Sequence, residues 1–387
     1  MTIRRRRLRE RVKRLLSEAH RLETENRERL EEARIRTEAA LNLEKPDRVP
    51  VRLGLSPVWS DWYFKMRYGI RIGEYLIDPE LCIEYQLRTW IDSFGDFDDD
   101  RTFVVPGQIG PLGGVVLHPS IAGCRASFPE DDFAWIDLGY RALDTEEKID
   151  DFETPEISRA GLMPETLDML DEMDRAIGDL IPVAIQGGDG APLQMAAYTR
   201  GIRQLIRDMY TQPEIAHRLL DKMMDVYRAI HRFYEATWGI RYSGPDIEGY
   251  FYDNPLAYFS PPLVERFVLP RYRRYAEECG WRHWSFETQD VMDSFIELLR
   301  TVPIRNLHNL ASNSDLGAFR QVLDPDNVCL HVFMAPGRLI QPQRVQGEVD
   351  RLFEQLGHRA WVLSSGVLDR AVPEASIREF LRASRSG

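Results

Sequence analysis

Three histidines carry the sharpest chemical signal in the chain. His283, His308 and His331 fall at equivalent places on three successive short apolar segments of the kind that forms parallel strands. Adjacent parallel strands lie about 4.8 Å apart, so three imidazoles at matching positions can converge on one point. With Glu287 they make a nitrogen-and-oxygen donor set suited to Zn²⁺, or secondarily to Fe²⁺. A metal there would polarise a substrate oxygen or activate a nucleophile. The same side chains without a metal would line a pocket as neutral, hydrogen-bonded groups, and no HExxH run is present to decide between the two.

Asp246, Glu248 and Asp253 form a second group. Clustered carboxylates raise one another's pKa, which is how an enzyme holds a proton for acid–base work near neutrality. The plainer alternative is a solvated strand end with an aspartate capping the next helix. Tyr252 and Asn254 close the same segment and are expected on the substrate. Trp59, Trp62 and Phe64, with Arg67 after them, could cover a flat ligand, although such a run also suits a core or a dimer interface.

These residues need elements to position them. Short apolar strands at 182–186, 246–250, 281–286, 304–308, 328–333 and 360–363 alternate with amphipathic helices, which reads as βαβ units on a parallel sheet. Two further strands before residue 110, one at 49–55, bring the count to eight, the number of a closed (β/α)8 barrel; an open doubly wound sheet is the competitor. In such a barrel the chemistry sits at the C-terminal strand ends. The stretch 103–128 reads as hairpin and loop. Residues 4–44 form one long helical pattern with Leu8, Val12, Leu15, Leu16 and Ala19 on one stripe, and Pro46 ends it. The chain thus divides into a charged helical arm, 1–45, and a barrel, 46–387.

Composition excludes several classes. With 387 residues, 43% hydrophobic and 29% charged, the chain belongs with globular proteins rather than disordered ones. A net charge of −12 argues against a nucleic-acid surface over the whole chain, although residues 1–48 hold 15 basic side chains against 10 acidic ones. Four widely spaced cysteines and a start without an apolar core point to the cytoplasm, and no segment reads as a membrane helix. Neither a GxxxxGK[ST] loop nor a GxGxxG turn supports nucleotide chemistry.

Several motifs then resemble one family, in order and in spacing. Lys45-Pro-Asp-Arg-Val-Pro-Val51, Asp78-Pro-Glu-Leu81 with Phe94-Gly95, and Gly190-Ala-Pro192 with Tyr198 and Arg200-Gly201 are similar to segments of the uroporphyrinogen decarboxylase superfamily. So are Tyr252-Asp253-Asn254, Phe259-Ser-Pro261, Phe267-Val-Leu-Pro270 and Leu363-Ser-Ser-Gly366. The superfamily includes cobalamin-dependent methyltransferases. The resemblance implies a (β/α)8 barrel, commonly dimeric, with Tyr198 and Asp253 in its cleft.

It also implies departures. Only Arg67 stands as a counterpart of the decarboxylase's arginine-rich propionate grip, and Ser365 replaces its C-terminal histidine, so a four-carboxylate porphyrinogen would lack most of its partners. The thiol-activating methyltransferases hold zinc with a His-x-Cys pair and a second Cys; His283 fits, but Ser285 and Val367 replace the cysteines. The resemblance therefore points to members that demethylate small methylated or methoxylated compounds and pass the methyl group to a corrinoid carried by a partner protein. A cobalamin-free decarboxylase or lyase of a small carboxylate is the rival, favoured if Arg67, Arg200 and Arg203 line the pocket. A non-catalytic binding protein that keeps the barrel is the third reading.

Overall fold

A computed structural model describes residues 3–55, 67–111, 113–130, 132–185, 190–287, 292–368 and 371–386. Its centre is a parallel sheet. Strands β1 (Val51–Gly54), β4 (Gly249–Tyr252), β5 (Trp284–Glu287), β6 (Ile304–Ala311), β7 (Cys329–Phe333) and β8 (Trp361–Val367) lie in the order β1-β8-β7-β6-β5-β4. A separate two-stranded hairpin, β2 (Ala126–Ser127) and β3 (Trp135–Ile136), is antiparallel. Amphipathic helices follow the strands and cover the outer face, as short apolar strands buried on both sides require.

The remaining wall, between β1 and β4, is thinner. The expected strand 182–186 is reduced to one parallel bridge, Ile109 to Val183, held by Ile109 N–H to Pro182 O and Ala184 N–H to Ile109 O, both 3.0 Å. Asp100 N–H donates to Val51 O at 2.7 Å on one side, and Ala191 N–H to Tyr252 O at 2.9 Å on the other. Backbone contacts thus continue past both edge strands of the six-stranded ladder, the arrangement of a (β/α)8 barrel with two minimal strands.

Three local expectations change. The single arm helix is two, α1 (Ile3–Glu25) and α2 (Arg27–Leu41), because Asn26 leaves helical geometry and its side chain donates back to Leu22 O at 2.9 Å. The expected helix 195–210 breaks into Pro192–Arg200 and Ile202–Thr211 at Gly201, whose φ of +89° only glycine adopts cheaply. The expected hairpin and loop over 103–128 contains a 3₁₀ turn, Gly114–Val116, running into a short helix, Leu117–Ile121, whose Pro119 falls in the first turn where no N–H is missed.

The arm is part of the body. Leu8, Val12, Leu15 and Ala19 of α1 pack with Cys82, Ile83 and Leu87 of helix Pro79–Asp96 and with Met173 and Ile177 of helix Met163–Ile177. The C-terminal end of α2 and the turn after it cover the N-terminal ends of β7 and β8: Ala40 and Leu43 bury Cys329, Ala360 and Val362. Arg305 and Arg359 donate to Leu41 O and Leu43 O at 3.2 and 2.7 Å.

Candidate functional site

Strand alternation decides which side chains reach the barrel interior. On β4 and its approach, Glu248 and Tyr250 face inward; Tyr250 meets His308 edge-on, ring centroids 5.9 Å apart. Phe251 and Asp253 face outward, Phe251 stacking on Tyr272 of helix Leu269–Cys279 at 4.0 Å. Registers Ser285–Asn306 and Glu287–His308 set β5 beside β6. A bulge in β6, where Asn309 has a φ of +53°, lets consecutive residues His308 and Asn309 both turn toward β5.

The resulting interior is a connected polar ring. Glu248 Oε1 accepts from the Ser285 hydroxyl and from Asn306 Nδ2, the latter at 2.7 Å. Asn306 Oδ1 lies 3.0 Å from His331 Nε2, and His308 Nε2 lies 3.3 Å from Ser285 Oγ. The two imidazole rings lie side by side, centroids 4.0 Å apart. Burial pushes the His308 imidazole down to about 4, against the pull of Glu248 and with help from Arg52; His331 is held well below its ordinary value by burial, His308 and Arg52. Both rings are therefore neutral near pH 7. Glu248 stays accessible, and a cavity of about 290 Å³ touching Glu248, Tyr250 and Tyr252 runs out between β4 and helix Pro213–Trp238.

The four expected metal ligands do not converge. His283 and Glu287 share a face of one strand but stand four residues apart, roughly 13 Å at strand rise, while two ligands of one zinc each lie within about 2.2 Å of it. His283 is exposed, just ahead of β5. Glu287 accepts from Asn309 Nδ2, and the nearest partners of His308 and His331 are Ser285 and Asn306. Among the described residues no group of three or more His, Cys, Asp or Glu could hold a metal ion. The donor set does not fit a zinc or iron centre.

The carboxylates separate too. Asp246 is exposed and paired with Arg241 at 3.0 Å, which holds its carboxyl low, so it supplies no proton to the interior. Asp253 is fully buried behind the sheet, accepting from Gln194 N–H at 2.9 Å and from the Tyr272 hydroxyl. Burial outweighs those two donors and pushes its carboxyl up to about 7. Asp253 fixes the start of helix Pro192–Arg200 against the end of β4 and so acts as a positioning residue. Tyr198 on that helix is buried, its hydroxyl pushed up chiefly by burial. The Asn254 amide lies close enough to influence it, yet among the described residues neither Asn254 side-chain atom nor Gln194 Nε2 completes a hydrogen bond.

Arg67 is on the surface with Asp96, and Arg200 is committed to Asp208 at 2.7 Å and to Leu143 O, so neither lines the interior; Arg203 is exposed. Trp59, Trp62 and Phe64 lie outside the described residues. Arg52 on β1 escaped the sequence reading, although a lone arginine in Val-Pro-Val-Arg-Leu-Gly-Leu is the signal of a polar interior position.

Against this geometry the comparisons fall into place. The family model for uroporphyrinogen decarboxylase (URO-D) matches residues 33–385. A solved structure described as a methyltransferase from Methanosarcina mazei superposes with a TM-score of 0.63 at 13% identity, covering 91% of this chain and 97% of the other. No curated protein sequence matches. With matched residues running from α2 through the last helix, the chain belongs to the uroporphyrinogen decarboxylase family.

Proposed function

We propose that this protein is a methyltransferase that removes a methyl group from a small methylated or methoxylated compound inside its barrel. The observation that carries the reading is the polar ring Glu248–Ser285–Asn306–His308–His331 on the interior wall, in a fold shared with the Methanosarcina methyltransferase. The proposed acceptor is a corrinoid carried by a partner protein, which when bound would supply a nucleophilic cobalt.

The chain's own work is to hold the donor and manage a proton. When a methyl–oxygen bond breaks, its electron pair stays on oxygen, and that oxygen must gain a proton. Glu248 is the interior carboxyl placed for this: Ser285 and Asn306 fix Oε1, which leaves Oε2 to face the donor. The neutral imidazoles of His308 and His331 offer hydrogen bonds without adding charge. Tyr250 and Tyr252 line the cavity that Glu248 also touches and would bury the apolar part of the donor. We further propose that the chain works as a homodimer in the cytoplasm, where its four buried free cysteines would stay reduced.

The test is to incubate the protein with Co(I) cobalamin and a panel of methoxylated and methylated compounds, following methylcobalamin by absorbance. At least one compound should react, and Glu248→Gln should slow that reaction by about 10²–10⁴-fold. Carbon dioxide release from a small carboxylate without cobalamin would replace this reading with a decarboxylase. Tight binding without turnover would replace it with a binding protein.

A further inference from the structure

Arg52 is the second residue of β1, level with Ser364 of β8. Ser364 in turn pairs with Phe333, two residues past His331 on the same face of β7, so Arg52 shares the interior face of the polar ring, and its charge acts on both His308 and His331. The side chain is exposed to solvent, yet the surrounding protein lowers its pKa, as expected for a group inside a barrel lumen. Among the described residues none of its five N–H donors makes a hydrogen bond or ion pair, whereas Arg36, Arg48 and Arg101 nearby are engaged.

The local charge count explains why. The carboxylates whose charge acts on Arg52 are Asp99 and Asp100. Asp100 accepts from Arg36 at 2.7 Å, from Arg48 at 2.5 and 2.8 Å, and from Val51 N–H at 2.8 Å. Asp99 accepts from Arg101 at 2.6 Å and Leu53 N–H at 3.1 Å. Arg36 is completed by Asp47. Four guanidiniums thus share three carboxylates, and the unmatched charge is the one in the lumen. Glu248 stands across the interior on the approach to β4, tied to Ser285 and Asn306.

A lumen guanidinium that meets no carboxylate is open to a planar anion taking two parallel N–H bonds. The two imidazoles beside it are neutral, so Arg52 presents a single positive charge on its side of the lumen, opposite the Glu248 carboxyl, and suits a monoanion over a phosphate dianion. We propose that Arg52 anchors a carboxylate of the substrate, so that the methyl donor is a small monocarboxylic acid whose methylated end points across the lumen to Glu248. This rests on the methyl-transfer reading above and narrows its substrate class.

Acetate, methoxyacetate, inorganic phosphate and uncharged 1,2-dimethoxyethane are the probes, titrated by calorimetry into the full chain and into Arg52→Gln and Arg52→Lys, with thermal unfolding to check that each variant folds. Acetate and methoxyacetate should bind the wild type and lose ten- to hundredfold affinity in Arg52→Gln, with Arg52→Lys between, because a point charge replaces the fork. Dimethoxyethane binding should not change. Equal carboxylate affinity in wild type and Arg52→Gln overturns the anchor, and so does tighter binding of phosphate than of acetate. Arg52-dependent carboxylate binding with no methyl transfer to cobalamin keeps the anchor and removes the methyltransferase reading. Methyl transfer from uncharged ethers, unaffected by Arg52→Gln, does the reverse.

Discussion

Glu248 and Asp253 stand five residues apart in the sequence and face opposite sides of the barrel wall. Period-two alternation makes that unavoidable, so the fate of each carboxyl was open to reading once the strand's extent was known. What the sequence could not give was how each oxygen is occupied, since the partners come from β5, β6 and two helices far along the chain. The difference is measurable. The folded chain keeps the Asp253 proton up to about pH 7, whereas an unfolded aspartate releases it near pH 3.9. Stability drawn from the neutral carboxyl is complete below about pH 4 and lost as pH rises through 7. His118 and His308, both depressed to about 4 by burial, act in the opposite sense. The comparison of Asp253→Asn with wild type isolates the carboxyl: urea unfolding should show the variant gaining relative stability steadily from pH 4 to 7. A difference independent of pH would contradict the assignment.

Element boundaries followed the hydrophobic rhythm well for β5 to β8, where ladders bury both faces. They failed where side-chain packing replaces the ladder. The strand expected at 182–186 survives as a bridge because the opposing chain comes unusually near: a Cβ on Gly110 would lie 1.8 Å from Ala184 O. No periodicity shows such an approach; only the glycine hints at it. Gly110→Ala should force the two segments apart and cost about 1–3 kcal/mol in chemical denaturation, with the loss concentrated between residues 100 and 190. The arm's break at Asn26 was legible as a polar interruption, but its function was not, because the stripe of α1 describes a partner without saying which. Arg36 of α2 joins Asp100 in a buried pair, side chains 7% and 4% exposed. Arg36→Ala strands that carboxylate with one guanidinium fewer, and a loss of about 3 kcal/mol should appear as a lower unfolding midpoint.

At the scale of the whole molecule, one part of the wall is a six-stranded ladder and the rest is stitched by isolated backbone bonds. Amides of β5 to β8 should exchange with solvent far more slowly than those near Ile109 and Val183, which hydrogen exchange with mass spectrometry resolves by peptide. Uniform protection around the ring would show that the thin wall is as rigid as the ladder. The barrel architecture was legible from the alternation of strands and helices; the separation of His283, Glu287, His308 and His331 was not, because matching positions along a sequence do not set the height at which each side chain enters the barrel. Among the described residues no helix is long and apolar enough to cross a membrane.

The seat of α2 has a consequence for how the molecule comes into being. Ala40 and Leu43 rest on Ala360 and Val362, and β1 finds its ladder partner in β8, so segments made first are completed by segments made more than 300 residues later. Contacts of that sequence separation close slowly. On the ribosome the stripe of α1 can be covered once residues 79–177 are made, but the end of α2 must wait, Ala40 and Leu43 uncovered, until the last strand emerges, which makes that end of the arm a stretch in need of a chaperone while the chain is still being made.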